Sequence, residues 1–188
     1  MDALLTSFVA ALLAEWGDRT QLFVIVLAAR FARPGPILAG LAVAALANAL
    51  VAAVGGVLIH ELVPIRALSL LVALSLLMAG FGSLIRRRAP DIASRWRTGA
   101  FVTAAASLFL LEIGDKTQFV TFALAARFDT VLLAAGGATA GILIANAPAA
   151  VLGEALVRTV PVQPIRYAIA ALLLVTGFVV AVQALELV

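Results

Sequence analysis

Cysteine is absent from all 188 residues of this chain, and histidine occurs once, at position 60. No disulfide and no thiolate metal site can therefore form, and no paired-histidine zinc site either. Charge is almost as scarce. Asp, Glu, Lys and Arg make up 12% of the residues while 64% are apolar. A soluble domain with that balance could not cover its surface with polar groups. Whole windows lack any ionisable side chain: 34–59, 67–85, 130–153 and 167–185 contain no Asp, Glu, Lys, Arg or His. Each is long enough for a helix to cross a hydrocarbon core, which takes about 20 residues. Nor does the N-terminus read as a cleavable signal peptide, because Asp2 stands where a basic region belongs and the apolar run leads straight into Glu15. No transit peptide, lipidation motif or low-complexity tail is visible.

What is present is a charged hexapeptide that occurs twice, each time inside a stretch that otherwise reads as membrane-spanning. Glu15-Trp16-Gly17-Asp18-Arg19-Thr20 is followed by Gln21, and Glu112-Ile113-Gly114-Asp115-Lys116-Thr117 by Gln118, 97 residues later. Admitting these motifs into spans adds helices at about 4–29 and 98–126, from the same length rule. The sequence thus predicts an all-α polytopic membrane protein with six transmembrane helices, folded as a single membrane domain.

The similarity of the two halves extends beyond the motif. Residues 13–31 align with 110–128 without a gap, Ala47-Asn48-Ala49 with Ala145-Asn146-Ala147, and Pro64-Ile65-Arg66 with Pro164-Ile165-Arg166. We read repeat one as 1–85, a basic linker as 86–97 and repeat two as 98–188. A three-helix unit repeated once must enter the membrane in opposite orientations, because an odd number of crossings reverses direction. Loop charges agree. Arg30 and Arg33 follow the first span of repeat one, whereas Arg127 and Asp129 cancel in repeat two; Glu61 and Arg66 cancel in the next loop of repeat one, whereas Arg158 and Arg166 give repeat two a basic excess. Inverted three-plus-three repeats are typical of secondary transporters, whose substrate site lies at the bilayer midplane between the halves.

The net charge of +3 does not point to nucleic acid. Of 13 Lys and Arg, nine (Arg30, Arg33, Arg86, Arg87, Arg88, Arg95, Arg97, Arg158, Arg166) fall in loops on one side of a six-span protein, without interleaved stacking aromatics. The positive-inside rule makes that side cytoplasmic and puts both termini outside the cytoplasm.

Ionisable side chains deep in a bilayer are expensive and default to an ion or proton pathway. On a continuous helix, residues three apart share a face, so Glu15, Asp18 and Gln21 form one polar stripe and Glu112, Asp115 and Gln118 another. The glycine between the acids permits close backbone approach or local unwinding. Two stripes facing each other offer four carboxylates and two amide oxygens, a ligand set for a hard divalent cation. Each motif holds two acids and one base, so the pair carries minus two. One divalent ion neutralises that, and so do two protons, which is the balance an exchanger needs. The competing reading is a salt-bridge clamp through the i,i+4 pairs Glu15–Arg19 and Glu112–Lys116, but it leaves Asp18 and Asp115 without a base. Arg19 and Lys116 then position or balance the acids. Asn48 and Asn146 read equally as site lining or as helix–helix glue. Thr20 and Thr117 read as ligands or, in preference, as hydroxyls bonded back to their own helix. His60 reads as a solvated loop residue, and Gly55-Gly56 and Gly136-Gly137 with Gly141 as close helix packing.

The doubled Glu-x-Gly-Asp-Lys/Arg-Thr motif, on a small six-span chain, resembles the cation/proton exchanger family of bacterial MneA/Mnx-type manganese exporters and Golgi Gdt-type calcium/manganese transporters. The resemblance covers nearly the whole chain, and neither motif departs from the family pattern. The longer N-terminal region and acidic central loop of the eukaryotic members are not matched, which implies the compact bacterial form. The resemblance implies export of Mn²⁺, or of Ca²⁺, from the cytoplasm against H⁺, with Glu15, Asp18, Glu112 and Asp115 binding the ion and no prosthetic group. Expected partners are the lipid bilayer, a divalent metal ion and protons, with a homodimer as the oligomeric expectation and a bacterial inner membrane as the location. An uncoupled divalent-cation channel is the alternative. An intramembrane metal-dependent hydrolase is disfavoured by the missing cysteines and the lone histidine.

Overall fold

A computed structural model describes residues 1–85, Pro90 and 96–186. The described residues form helices and connecting turns: α1 Asp2–Glu15, α2 Arg19–Phe31, α3 Pro34–His60, α4 Ile65–Leu84, α5 Ala100–Glu112, α6 Lys116–Phe128, α7 Val131–Leu152, the short α8 Ala155–Thr159 and α9 Val162–Ala184. Four of these, α3, α4, α7 and α9, are long and apolar enough to cross a membrane, and they coincide with the four charge-free windows. Large apolar side chains such as Val51, Leu58, Leu132, Val175 and Phe178 stay more than half exposed, as lipid-facing residues do.

One sequence expectation needs correction. The stretches 4–29 and 98–126 are not continuous helices. Each is divided at its hexapeptide, into α1 and α2 and into α5 and α6. The cause is local. Trp16 (φ −66°, ψ 122°) and Ile113 (φ −61°, ψ 121°) are extended, and the glycine after each has φ +72°. Those angles define a type II turn, whose third residue needs the left-handed conformation that glycine adopts without penalty. Asp18 N–H donates to Glu15 O at 3.2 Å and Asp115 N–H to Glu112 O at 3.1 Å, closing both turns. The polar stripes inferred from helical spacing therefore do not exist as such.

The halves interlock. α1 and α2 of the first half pack on α7 of the second, while α5 and α6 pack on α3; α3 meets α7, and α4 meets α9. Small residues set the spacing. A Cβ on Gly40 would press on Phe101 O, one on Gly56 on Phe122 O, one on Gly137 on Leu4 O and one on Gly141 on Phe8 O. With no hydrophobic drive between helices in lipid, such backbone approach is what holds spans together. The expected close packing holds for Gly56, Gly137 and Gly141, but Gly136 faces open space.

Several residues assigned to loops lie on helices. His60 ends α3 and its Nδ1 sits 2.7 Å from Ala126 O, so it is a packed residue rather than a solvated one. Arg30, Arg66, Arg127, Arg158 and Arg166 all belong to helical turns. Of the basic linker, residues 86–89 and 91–95, including Arg86, Arg87, Arg88 and Arg95, lie outside the described residues.

Candidate cation site

The acids that flank the two type II turns meet in the interior. Glu15 is the last residue of α1 and Glu112 the last of α5, so both acids stand at the negative ends of helix dipoles, where a cation is favoured. Asp18 and Asp115 are the N-cap residues of α2 and α6, yet neither carboxylate caps its own helix. Both aspartates are thus left to face the other half. All four acids are buried, Asp115 least so at 8% exposed.

Their partners come from the opposite repeat. Arg19 Nη2 lies 2.9 Å from Asp115 Oδ1 and Lys116 Nζ lies 2.8 Å from Asp18 Oδ2. Thr20 Oγ1 donates to Glu112 Oε1 at 2.9 Å and Thr117 Oγ1 to Glu15 Oε1 at 2.5 Å. This overturns the intrahelical clamp: the bases do not pair with glutamates four residues back. It also reverses which acids hold the ion pairs, since the aspartates take the bases and the glutamates take the hydroxyls. Neither threonine uses its hydroxyl as expected, because a turn rather than a helix precedes it and no carbonyl lies in the i−4 position of a continuous helix. The sequence signal for this crossing was the identity of the two motifs, each with as many donors as acids.

Gln21 and Gln118 play matched parts. Gly17 N–H donates to Gln21 Oε1 at 3.1 Å and Gly114 N–H to Gln118 Oε1 at 2.7 Å, so each glutamine ties down its own turn. Their amide nitrogens reach the other half, Gln21 Nε2 to Ala145 O at 2.7 Å and Gln118 Nε2 to Asn48 Oδ1 at 3.5 Å. Asn48 Nδ2 in turn donates to Phe109 O at 3.1 Å. Asn146 differs from its repeat mate: Nδ2 donates to Ile142 O at 2.9 Å, and Oδ1 is buried without a donor.

Carboxylate oxygens of Glu15, Asp18 and Asp115 lie within 4.8 Å of one another. Two oxygens bound to one hard cation at about 2.0–2.6 Å each can be no more than ~5 Å apart, so this spacing suits a single shared ion. Glu112 stands outside the triad, engaged by Thr20. Glu15 Oε2 and Asp115 Oδ2 are buried with no hydrogen-bond donor, an arrangement that is costly unless a cation or proton satisfies them. Within the two hexapeptides, four acids against two bases leave a charge of minus two.

The turns carry a testable consequence. Forcing a Cβ into the left-handed region costs about 1–2 kcal/mol at either glycine. At Gly17 the added atom would also crowd Val162 Cγ1 and Arg166 Cδ at 3.2 Å, whereas at Gly114 it would meet nothing within 4 Å. Gly17→Ala is therefore expected to lower the apparent unfolding midpoint in detergent more than Gly114→Ala; equal shifts would contradict the geometry.

Comparison with known proteins yields matching results from two directions. The family model described as "Divalent cation/proton antiporter GDT1" matches twice, over residues 3–91 and 100–187, with one hexapeptide in each match. A Vibrio cholerae protein named "Putative manganese exporter" is 34% identical over 182 residues, covering 96% of this chain and 91% of its own length. No solved structure matches the chain. With both halves matched, and with the paired acidic turns at their centre, the chain belongs to the divalent cation/proton antiporter family GDT1.

Proposed function

We propose that this protein exports Mn²⁺ from the cytoplasm in exchange for H⁺, binding the ion between its two repeats. The observation that carries the reading is the triad of Glu15, Asp18 and Asp115, drawn from both halves to within 4.8 Å and buried. Six crossings as inverted three-helix repeats, with each hexapeptide turn interrupting a span, give the arrangement in which broken helices deliver side chains and carbonyls to a midplane ion. In this reading both termini face away from the cytoplasm of a bacterial inner membrane.

The residues divide the task. Glu15, Asp18 and Asp115 supply oxygens to the metal, and Glu112 completes the charge count. Arg19 and Lys116 hold the aspartates across the repeat interface. Gln21 and Gln118 act through the turns, since their Oε1 atoms are taken by glycine N–H groups. Asn146 Oδ1, buried and lacking a donor, is a further oxygen available to the site. A site at minus two is neutral with one divalent ion or with two protons, and hydrocarbon penalises the crossing of any other net charge.

Purified protein in proteoliposomes tests this directly. With an imposed pH gradient, Mn²⁺ should accumulate against its own gradient on the acidic side. Metal flux that follows only the metal gradient would establish the uncoupled channel instead. Replacing Mn²⁺ by Ca²⁺ in the same vesicles tells whether calcium is also carried.

A further inference from the structure

Contacts that a repeat should make in pairs are made here only once. Gly17 and Gly114 share a turn type, a φ of +72° and a glutamine cap. Yet Val162 and Arg166 fill the space at Gly17, while the space at Gly114 is open. The repeat counterparts of Val162 and Arg166 are Leu62, in the turn before α4, and Arg66, in the first turn of α4. Arg166 is 7% exposed and its buried Nε has no hydrogen-bond partner. Arg66 is half exposed and paired with Glu186. One arginine is seated on a turn of the site and its twin is not.

The helices that carry them are similarly unbalanced. Gly80 packs on Leu174 and Ala170, and Gly177 on Leu77 and Ala73, so α4 and α9 run antiparallel. Added Cβ atoms would lie 2.8 Å from Leu174 Cγ and 2.9 Å from Leu77 Cγ, so the leucines would have to shift, and the pair is closely packed at both glycines. The glycines on α3 and α7 lock α1, α5 and α6 just as closely. Between these two units Ala14, Ala79, Ala123 and Leu124 form a buried apolar cluster, flanked by surface grooves of about 480 Å³ beside Val9, Leu76 and Leu173 and about 390 Å³ beside Ser69, Leu124 and Arg127. α4 lies along α6, where Arg127 Nε donates to Ser69 Oγ at 3.0 Å. Among the described residues α9 makes no comparable packing along α2. Two near-equivalent halves packed asymmetrically have a second arrangement, reached by exchanging their roles.

We propose that Arg166 and Arg66 are reciprocal positioning residues of the transport cycle, carried on a rigid α4–α9 pair. In the arrangement seen here Val162 and Arg166 seat on the Gly17 turn; in the other, Leu62 and Arg66 seat on the Gly114 turn. The groove of about 500 Å³ that reaches Gly114, Asp115 and Gln118 is lined on α4 by Met78, 12 residues beyond Arg66, so seating Leu62 and Arg66 there requires the α4–α9 pair to slide along α6 by about 18 Å at 1.5 Å per residue. A guanidinium on the closed side also repels a cation, which discourages leakage past the gate. The first arrangement is the observed one, the second is its counterpart under exchange of the repeats, and their place in a cycle rests on the exchange reading above.

The chain's lack of cysteine gives a clean background for cross-linking. One double variant, Leu62→Cys with Ile113→Cys, places thiols at exposed positions and reports the second arrangement. Another, Trp16→Cys with Val162→Cys, reports the first. In proteoliposomes treated with a short bis-maleimide, both pairs should cross-link, and Mn²⁺ against chelator should move their yields in opposite directions. Arg166→Ala should raise the 62–113 yield several-fold and lower the 16–162 yield, and Arg66→Ala should do the reverse. A purely structural role would move both variants the same way, and that result overturns the proposal. So does a 62–113 pair that never cross-links in the otherwise unchanged chain, a result independent of whether either arginine variant folds. Flux on the same vesicles separates the readings. Coupled flux without a 62–113 cross-link overturns the gate alone, and interconverting cross-links without coupled flux support the gate while overturning exchange.

Discussion

Glu15→Gln and Asp115→Asn should each stop Mn²⁺ transport, with a fall in rate of at least ~100-fold, since even residues one layer out from a metal typically change affinity 10–100-fold. Both substitutions keep the side chain's shape. In Glu15→Gln the amide oxygen could still accept from Thr117, as the Glu15 carboxylate does at 2.5 Å, so folding should survive. What changes is charge. The site falls from minus two to minus one, and a divalent ion then leaves a net positive charge buried between the repeats, where it is strongly disfavoured. Glu154→Gln, at a carboxylate 65% exposed beside Arg158, should leave transport unchanged and serves as the control. Wild-type flux in either buried variant, with an unaltered unfolding midpoint, would remove that acid from the site.

Arg19→Met should destabilise the protein by about 3 kcal/mol, the lower end of the range for breaking a buried ion pair, because the arginine is partly exposed. Its guanidinium makes the 2.9 Å pair with Asp115 and also donates to Leu111 O at 2.8 Å. Asp115, 8% exposed, would then keep a charge without a base. Adding Asp115→Asn should recover most of the lost stability, because two neutral groups replace an orphaned ion. Transport should not recover. That separation distinguishes a structural clamp, for which the double variant would restore whatever the single one lost, from a site that needs the carboxylate itself. Apparent unfolding midpoints and flux on the same preparations measure both.

The doubled hexapeptide shows how far the sequence could be read. Its acids, its charge balance and its repetition all pointed to one ion site between two halves, and the four long spans fell within a few residues of the charge-free windows. The pairing inside the site was not legible. Helical spacing offers Arg19 to Glu15 and Lys116 to Glu112 only as the competing clamp, and a glycine at φ +72° breaks each helix between those residues. Once the helix is broken, partners are set by the docking of one repeat on the other, which no local spacing encodes. Arg166 was missed for a related reason. The Pro-Ile-Arg match at 64–66 and 164–166 was visible, yet charge counting assigned both arginines to loops. Only the packing of α9 brings one of them onto the Gly17 turn.

In the exchange reading one site holds either one divalent cation or two protons. Proton release on Mn²⁺ binding, followed with a pH indicator in weakly buffered detergent solution, tests it most directly. About two protons should appear per Mn²⁺ bound, from the charge difference of four acids and two bases, because metal can bind only deprotonated ligands. The Glu15→Gln/Asp115→Asn double variant should bind no Mn²⁺ and release none. Stoichiometric Mn²⁺ binding without proton release, or binding that survives in the double variant, would rule out a site shared by metal and protons.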